Sequence, residues 1–361
     1  MSALTSIGLP EIIAGLMLVA LTAYALTGGA DFGGGVWDLL ARGPRRERQR
    51  QHIAASLAPI WEANHVWLII VVVLLFTAFP SAFQAIMIVL HIPLTIVLIG
   101  IVLRGSAFVF RAYGARTSAA RQRWGATFAI ASIITPTILG ALIGALSTGK
   151  IGDASRLAET GAAPFADVYV APWLGVFPVV TGLLALTLFA FLAAVYLAHG
   201  SRDPELREDF RKRALFSAAA VFLLSALALA MSYREAPRVA TGVTGAQWAV
   251  PLHVFTGIAA IAAIWALVAR RHQVARVAAA SQVVGILWGW ALSQYPYIVP
   301  DVATIRSSAA PRPTLVLVVV GLAVGTAILA PALRYLFALF TRADVPANAD
   351  EPRGESRQRM K

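Results

Sequence analysis

Cysteine is missing from all 361 residues, which removes disulfides, thiolate metal sites, iron–sulfur clusters and a cysteine nucleophile together. Charge is scarce as well: Asp, Glu, Lys and Arg make up 13% of the chain, where soluble domains carry about a quarter. No Lys or Arg precedes the first apolar run. The cationic n-region of a cleaved signal peptide is therefore lacking, and "AYA" at 23–25 reads as part of a retained helix. Acids are few beside bases, 18 against 30. That imbalance would suit a nucleic-acid partner, but the placement of the cations excludes it.

What the chain has in excess is apolar surface, with 58% hydrophobic residues and a mean hydropathy of +0.73. Crossing a bilayer takes about 20 mostly apolar residues. Nine runs qualify, at roughly 9–29, 54–79, 82–103, 125–148, 172–198, 214–232, 248–268, 276–294 and 314–338. The fold expected is an all-α polytopic membrane protein of about nine transmembrane helices. Alternating the loops from the first puts 23 cations on one side against 6 on the other, with Arg334 near the end of the last run. Cationic loops stay cytoplasmic during insertion, so the N-terminus is expected outside and the C-terminus inside. The basic charge is a topology signal.

Short connections favour antiparallel neighbours packed as bundles. A faint repeat aligns "RRERQRQHIAASLA" at 45–58 with "LREDFRKRALFSAA" at 206–219; if real, it relates two four-helix bundles. Gly140 and Gly144 form a GxxxG step suited to close helix packing, and Pro136 is expected to bend the same helix. The tail after Thr341 is polar and is expected to be disordered.

One apolar run carries a polar cluster. In "WEANHVW" (61–67), Glu62, Asn64 and His65 interrupt the segment 54–79, with Glu62 expected eight residues into its helix and His65 at i+3 on the same face. A charge centred in a membrane costs roughly 2.5–3.5 kcal/mol on the lenient scale, so such a group is neutral, paired or facing a wet cavity. Three readings follow from the residues: proton handling, structural polar packing helped by the indoles of Trp61 and Trp67, and ion or haem binding. Asp31 stands in "GGADFGGGVWD", where five glycines allow close backbone approach or local unwinding. It is read either as a proton-accessible carboxylate or as an interfacial cap. Glu11 is read as solvated, and His91 and His253 as locally satisfied histidines rather than a haem pair.

Taken together, "GADFGGGVWDLL" (29–40), "SLAPIWEANHVWLI" (56–69) and "LRGSAFVFR" (103–111), supported by 132–149 and "YPYIVP" (295–300), resemble subunit II of the cytochrome bd-type quinol oxidases, the cyanide-insensitive branch included. The resemblance implies two pseudo-repeated four-helix bundles and one peripheral helix. These would fall as a first bundle at 1–148, a periplasmic loop at 149–171 and a second bundle at 172–294. A loop and ninth helix at 295–340 and a cytoplasmic tail at 341–361 complete the chain. It also implies a place in the bacterial inner membrane and a role in passing electrons from quinol to oxygen, with protons drawn from the cytoplasm.

By the same resemblance, no cofactor or metal belongs to this chain. Haem b, with or without haem d, belongs to subunit I; small accessory subunits, lipid, membrane quinol and a structural quinone are the other partners it raises. Glu62 matches the acid assigned to proton uptake, Asp31 the second acid of the glycine region, Trp61, Asn64 and Trp67 the second-helix motif, and Arg104 and Arg111 the third-helix end. Two departures stand out: Gly28 and Val109 occupy positions where many relatives carry acids. The rival reading is a secondary transporter with a midplane acidic site, although its polar residues would then all lie in one half.

Overall fold

The computed structural model describes residues 7–57, 61–110, 117–161 and 163–343, without the side chains of 57, 61–63, 118, 121, 330, 333 and 336–343. Among the described residues, eight helices are long and apolar enough to cross a membrane, and Asn64–Ala78 is a shorter apolar stretch. The polytopic all-α expectation holds. The tail beyond residue 343 and Arg111 lie outside the described residues.

The first helix, α1 (Leu9–Leu39), begins with Pro10 in its first turn and Glu11 accepting the Gly8 N–H at 2.9 Å. Glu11 also accepts from Arg306 Nε at 2.5 Å, so it is an ion-pair partner rather than a solvated acid. The helix runs ten residues past the expected end at 29. The glycines do not unwind it; they let other helices close on it. A Cβ at Gly33 would collide with the Phe189 carbonyl oxygen, and one at Gly35 with the Ser132 hydroxyl.

The expected run 54–79 is described in two stretches. A polar helix, α2 (Arg46–Leu57), precedes α3 (Trp61–Ala78), and the intervening 58–60 lie outside the described residues. Glu62 lies in α3 by its backbone, and its depth from the helix start falls on the undescribed 58–60. Next come α4 (Pro80–Val109) and α5 (Ser118–Ser147), the latter capped by Thr117 accepting the Ala120 N–H. Pro136 lies inside α5.

Short helices α6 (Lys150–Thr160), α7 (Phe165–Tyr169) and α8 (Ala171–Leu174) fill the first long loop. The second half brings α9 (Val176–Gly200), α10 (Pro204–Glu235), α11 (Pro237–Gly245), α12 (Ala249–Val268) and α13 (His272–Gln294). A small antiparallel hairpin, β1 (Tyr297–Val299) with β2 (Ala303–Thr304), follows. From Val316 onward, α14 (Arg312–Ala343) is a compact unit of its own, with Pro331 inside it.

Within residues up to 315, α9 is the hub, packing on α1, α5, α10 and α13. Its stretch from Leu188 to Val195 is buried on every side, as expected of a helix that is apolar all round. The GxxxG step works as packing: a Cβ at Gly140 would stand 2.5 Å from that of Ala185 on α9, and one at Gly144 would meet Thr181.

Three basic segments gather at one end of the molecule. There α2 docks on the start of α10 through Arg48 to Asp203 and Glu205, and Arg45, just before α2, reaches Asp209. Arg270 reaches Glu208 at 3.7 Å. The opposite end carries the Glu11–Arg306 and Arg238–Asp301 pairs. The two segments aligned by the faint repeat thus face each other across this basic end.

Candidate functional site

Polarity deep in an apolar bundle has to be accounted for atom by atom, and α1, α3, α4 and α5 share one such place. Asp31 sits inside α1 at 1% exposure, and Arg104 of α4 at 3%. The guanidinium grips the carboxylate with both arms, Nη1 to Oδ2 at 2.5 Å and Nη2 to Oδ1 at 2.7 Å. Nη2 also reaches the Asp31 carbonyl at 2.9 Å, while Nε donates to Ser132 Oγ on α5 at 2.9 Å. The rings of Phe32 and Phe128 lie 4.9 and 4.7 Å from the guanidinium carbon.

Forked pairing of this kind is the strong, directional form of the ion pair. It locks α1, α4 and α5 together. Asp31 is consequently no helix cap, and Arg104 is no loop cation, although the charge count placed it on the basic side. Sequence spacing alone could not join residues 73 positions apart.

Near the pair, the hydroxyl of Tyr24 and Nδ1 of His65 have no hydrogen-bond partner among the described residues, and neither do both amide atoms of Asn64, the residue before His65 on α3. Asn64 is fully buried. The His65 and Tyr24 rings stand 6.4 Å apart, and Asp31 and Arg104 act electrostatically on both. Tyr24 and Asp31 are seven residues apart on α1 and so share a face. The Tyr24 ring lies over Gly28: a Cβ there would be 3.0 Å from it.

Buried polar groups are nearly always hydrogen-bonded, to protein or to ordered water. The orphaned atoms of Tyr24 and His65, with rings 6.4 Å apart, are of the kind that ordered water satisfies. Tyr24 escaped the sequence reading because a tyrosine in an apolar run reads as core. Its seven-residue offset from Asp31 was the available signal.

The remaining candidates lie elsewhere or serve as frame. The Glu62 and Trp61 side chains are outside the described residues, although the backbone of both belongs to α3. Trp67 packs against the main core. His91 Nδ1 lies 3.0 Å from the Ile88 carbonyl and His253 Nε2 2.6 Å from that of Val243, each on an exposed helix face. Among the described residues, no group of three His, Asp or Glu could hold a metal ion.

Comparisons with known proteins then give these findings. The family model described as cytochrome bd terminal oxidase subunit II matches residues 9–340. Cytochrome bd ubiquinol oxidase subunit 2 of Bacillus subtilis is 29% identical over 154 residues, 43% of this chain and 45% of that one. Cytochrome bd-I ubiquinol oxidase subunit 2 of Escherichia coli is 30% identical over 149 residues, 40% of this chain and 38% of that one. The matched stretches thus span less than half the length of these curated relatives. The structure of bd oxidase from Geobacillus thermodenitrificans superposes with a TM-score of 0.74 at 20% identity, covering 92% of this chain and 98% of that chain. That last likeness is one of fold.

Proposed function

The chain belongs to the cytochrome bd terminal oxidase subunit II family, and from that premise we propose that it supports a haem-bearing subunit I in oxidising membrane quinol and reducing oxygen to water. Within that complex we assign it a proton uptake route from the cytoplasmic side. The observation that carries this reading is the unpartnered buried atoms on Tyr24 and His65 near the Asp31–Arg104 pair, with those of Asn64 one residue before His65. Buried polar atoms left without a partner cost about 1–3 kcal/mol each, a cost that water or a carried proton at Tyr24 and His65 would offset.

The chain's own residues divide the work. Glu62, on α3, takes up the proton. Its position two and three residues ahead of Asn64 and His65 puts it on the approach to the orphaned atoms. At about 1.5 Å rise per residue, His65 stands roughly 6 Å along α3 from Trp61, and Asp31 about 12 Å from the C-terminal end of α1. Asn64 and His65 orient the proton or the water carrying it, and Tyr24 offers a hydroxyl that can both accept and donate.

Asp31 borders this route without shuttling along it. Both its oxygens are held by Arg104, and breaking a buried pair costs about 3–5 kcal/mol. Its role is to fix the local field and the helix positions. We assign the haem chemistry to subunit I on the strength of the family. We place the chain in the inner membrane, with the basic end of the residues up to 315 on the cytoplasmic side.

Purification of the tagged chain in mild detergent tests the assignment. A haem-bearing partner with quinol oxidase activity should co-elute. If the chain elutes alone and mediates solute uptake in liposomes, the transporter reading replaces it.

A further inference from the structure

The basic end holds a feature that the proton route does not use. Between the end of α1 and the start of α10 lies a cleft of about 310 Å³, lined by Arg42, Gly43, Pro44, Arg45, Gln49, Asp209, Lys212 and Arg213. It contains four cationic side chains and one carboxylate. That carboxylate is already spoken for: Arg45 grips Asp209 through Nε at 2.8 Å and Nη2 at 2.7 Å, and Gln49 donates to it at 2.9 Å.

The other lining cations outnumber that single acid. Arg213 donates Nη2 to the neutral Gln49 amide oxygen at 2.7 Å and lies over the rings of Trp37 and Phe210, at 5.3 and 5.1 Å. Its Nη1 has no hydrogen-bond partner among the described residues. Arg42 and Lys212 are exposed and form no ion pair among the described residues. Such a concentration of like charge is costly unless an anion fills it.

The surroundings indicate what carries the anion. Leu39 and Leu40, just before Arg42, are 45% and 47% exposed, and Phe216 is 75% exposed. Phe216 stands four residues beyond Lys212 on α10, hence on the same face. Large apolar side chains left exposed next to unpaired cations, where two membrane helices end, match a molecule with a phosphate head and apolar tails. We propose that this cleft binds the phosphate group of an anionic lipid in the leaflet at the basic end, held by Arg42, Lys212 and Arg213. The lipid's chains lie over Leu39, Leu40 and Phe216, and its charge relieves the repulsion that α2 and α10 would otherwise feel on docking.

The full-length chain, purified with whatever it assembles with and stripped of lipid in neutral detergent, supplies the test. Phosphatidylglycerol, phosphatidylcholine and inorganic phosphate serve as separate probes, read by native mass spectrometry and thermal shift. Phosphatidylglycerol should bind and raise the melting temperature, phosphatidylcholine should do neither, and inorganic phosphate should compete only weakly. Arg42→Gln with Lys212→Gln should weaken phosphatidylglycerol binding roughly 30-fold, from about fivefold for each cation near an anionic lipid. The charge-preserving pair Arg42→Lys with Lys212→Arg should retain it. Equal retention by the neutral pair, or equal binding of phosphatidylcholine, overturns the site. Saturation by inorganic phosphate without any response to phosphatidylglycerol overturns the lipid as its source.

Discussion

Replacing Asp31 with Asn should destabilise the protein far more than removing a typical polar contact between membrane helices. Asn keeps one acceptor oxygen but turns an amide N–H₂ toward a guanidinium nitrogen, donor against donor. Arg104, 3% exposed, is then left charged without its counter-ion. Neutral interhelical hydrogen bonds in membranes average about 0.6 kcal/mol. Removing one partner of a buried pair costs about 3–5 kcal/mol, and the larger figure applies here because both bonds to the Asp31 carboxylate are lost or weakened together. Arg104→Met should cost a similar amount, raised by the lost contact with Phe32 and Phe128 at about 0.5–2 kcal/mol. The double variant leaves neither charge stranded and should recover at least about 2 kcal/mol of the summed loss. Denaturation midpoints of the purified protein, arranged as a double-mutant cycle, measure this directly. Costs that simply add, or an Asp31→Asn variant within about 0.6 kcal/mol of the parent, would refute the ion pair as a structural lock.

Other consequences can be checked more briefly. Tyr24→Phe deletes a buried hydroxyl without a described partner, so stability should hold or rise by up to about 1–3 kcal/mol while oxygen consumption falls. A loss of stability would show that the hydroxyl is bonded after all. Gly33→Ala drives a methyl into the Phe189 carbonyl and should cost at least about 1–3 kcal/mol. Gly15→Ala in the same helix meets nothing within 4 Å and should be neutral or stabilising; equal effects in the two would remove the close-approach argument. At the α2–α10 clamp, burial raises the Asp203 carboxyl pKa. The hydrogen bonds from Arg48 and from the Glu205 and Leu206 N–H groups outweigh it and hold the group below the usual carboxylate range. A lowered acid stabilises above its unfolded pKa, about 3.9, and that contribution disappears as pH falls through the lower folded value. Hydrogen exchange in α2, corrected for its intrinsic pH dependence, should therefore show constant protection from pH 8 to 5, with loosening only in stronger acid. Loosening between pH 7 and 5 would contradict this.

Some of this was legible in the residues and some was not, for identifiable reasons. Run length and hydropathy suffice to count membrane helices, because crossing a bilayer imposes a length that sequence shows directly. The polar cluster at Glu62, Asn64 and His65 stood out for the same reason, as an interruption in an apolar run. The end of α1 was misread because glycine normally weakens helices; here α9 and α5 press on Gly33 and Gly35 and hold the helix together to Leu39. The Asp31–Arg104 pair was hidden because it depends on tertiary proximity that no local spacing encodes. Arg104 was counted among loop cations for want of its partner. The docking of α2 on α10 was partly visible as charge complementarity, with arginines at 45 and 48 and acids at 203, 205 and 209, yet the faint repeat drew attention to the likeness of these segments rather than to their contact.

The account's central claim is that the polar cluster on α1 and α3 carries protons taken up at Glu62. Oxygen consumption by the Glu62→Gln complex, measured with haem content on the same preparation, tests it most directly. Gln matches Glu in size and removes only the titrating group, so turnover should fall by about 10²–10⁴, the usual worth of a positioned proton-transfer group, with haem content unchanged. Normal oxygen consumption would contradict the relay, and loss of haem together with activity would reassign Glu62 to assembly.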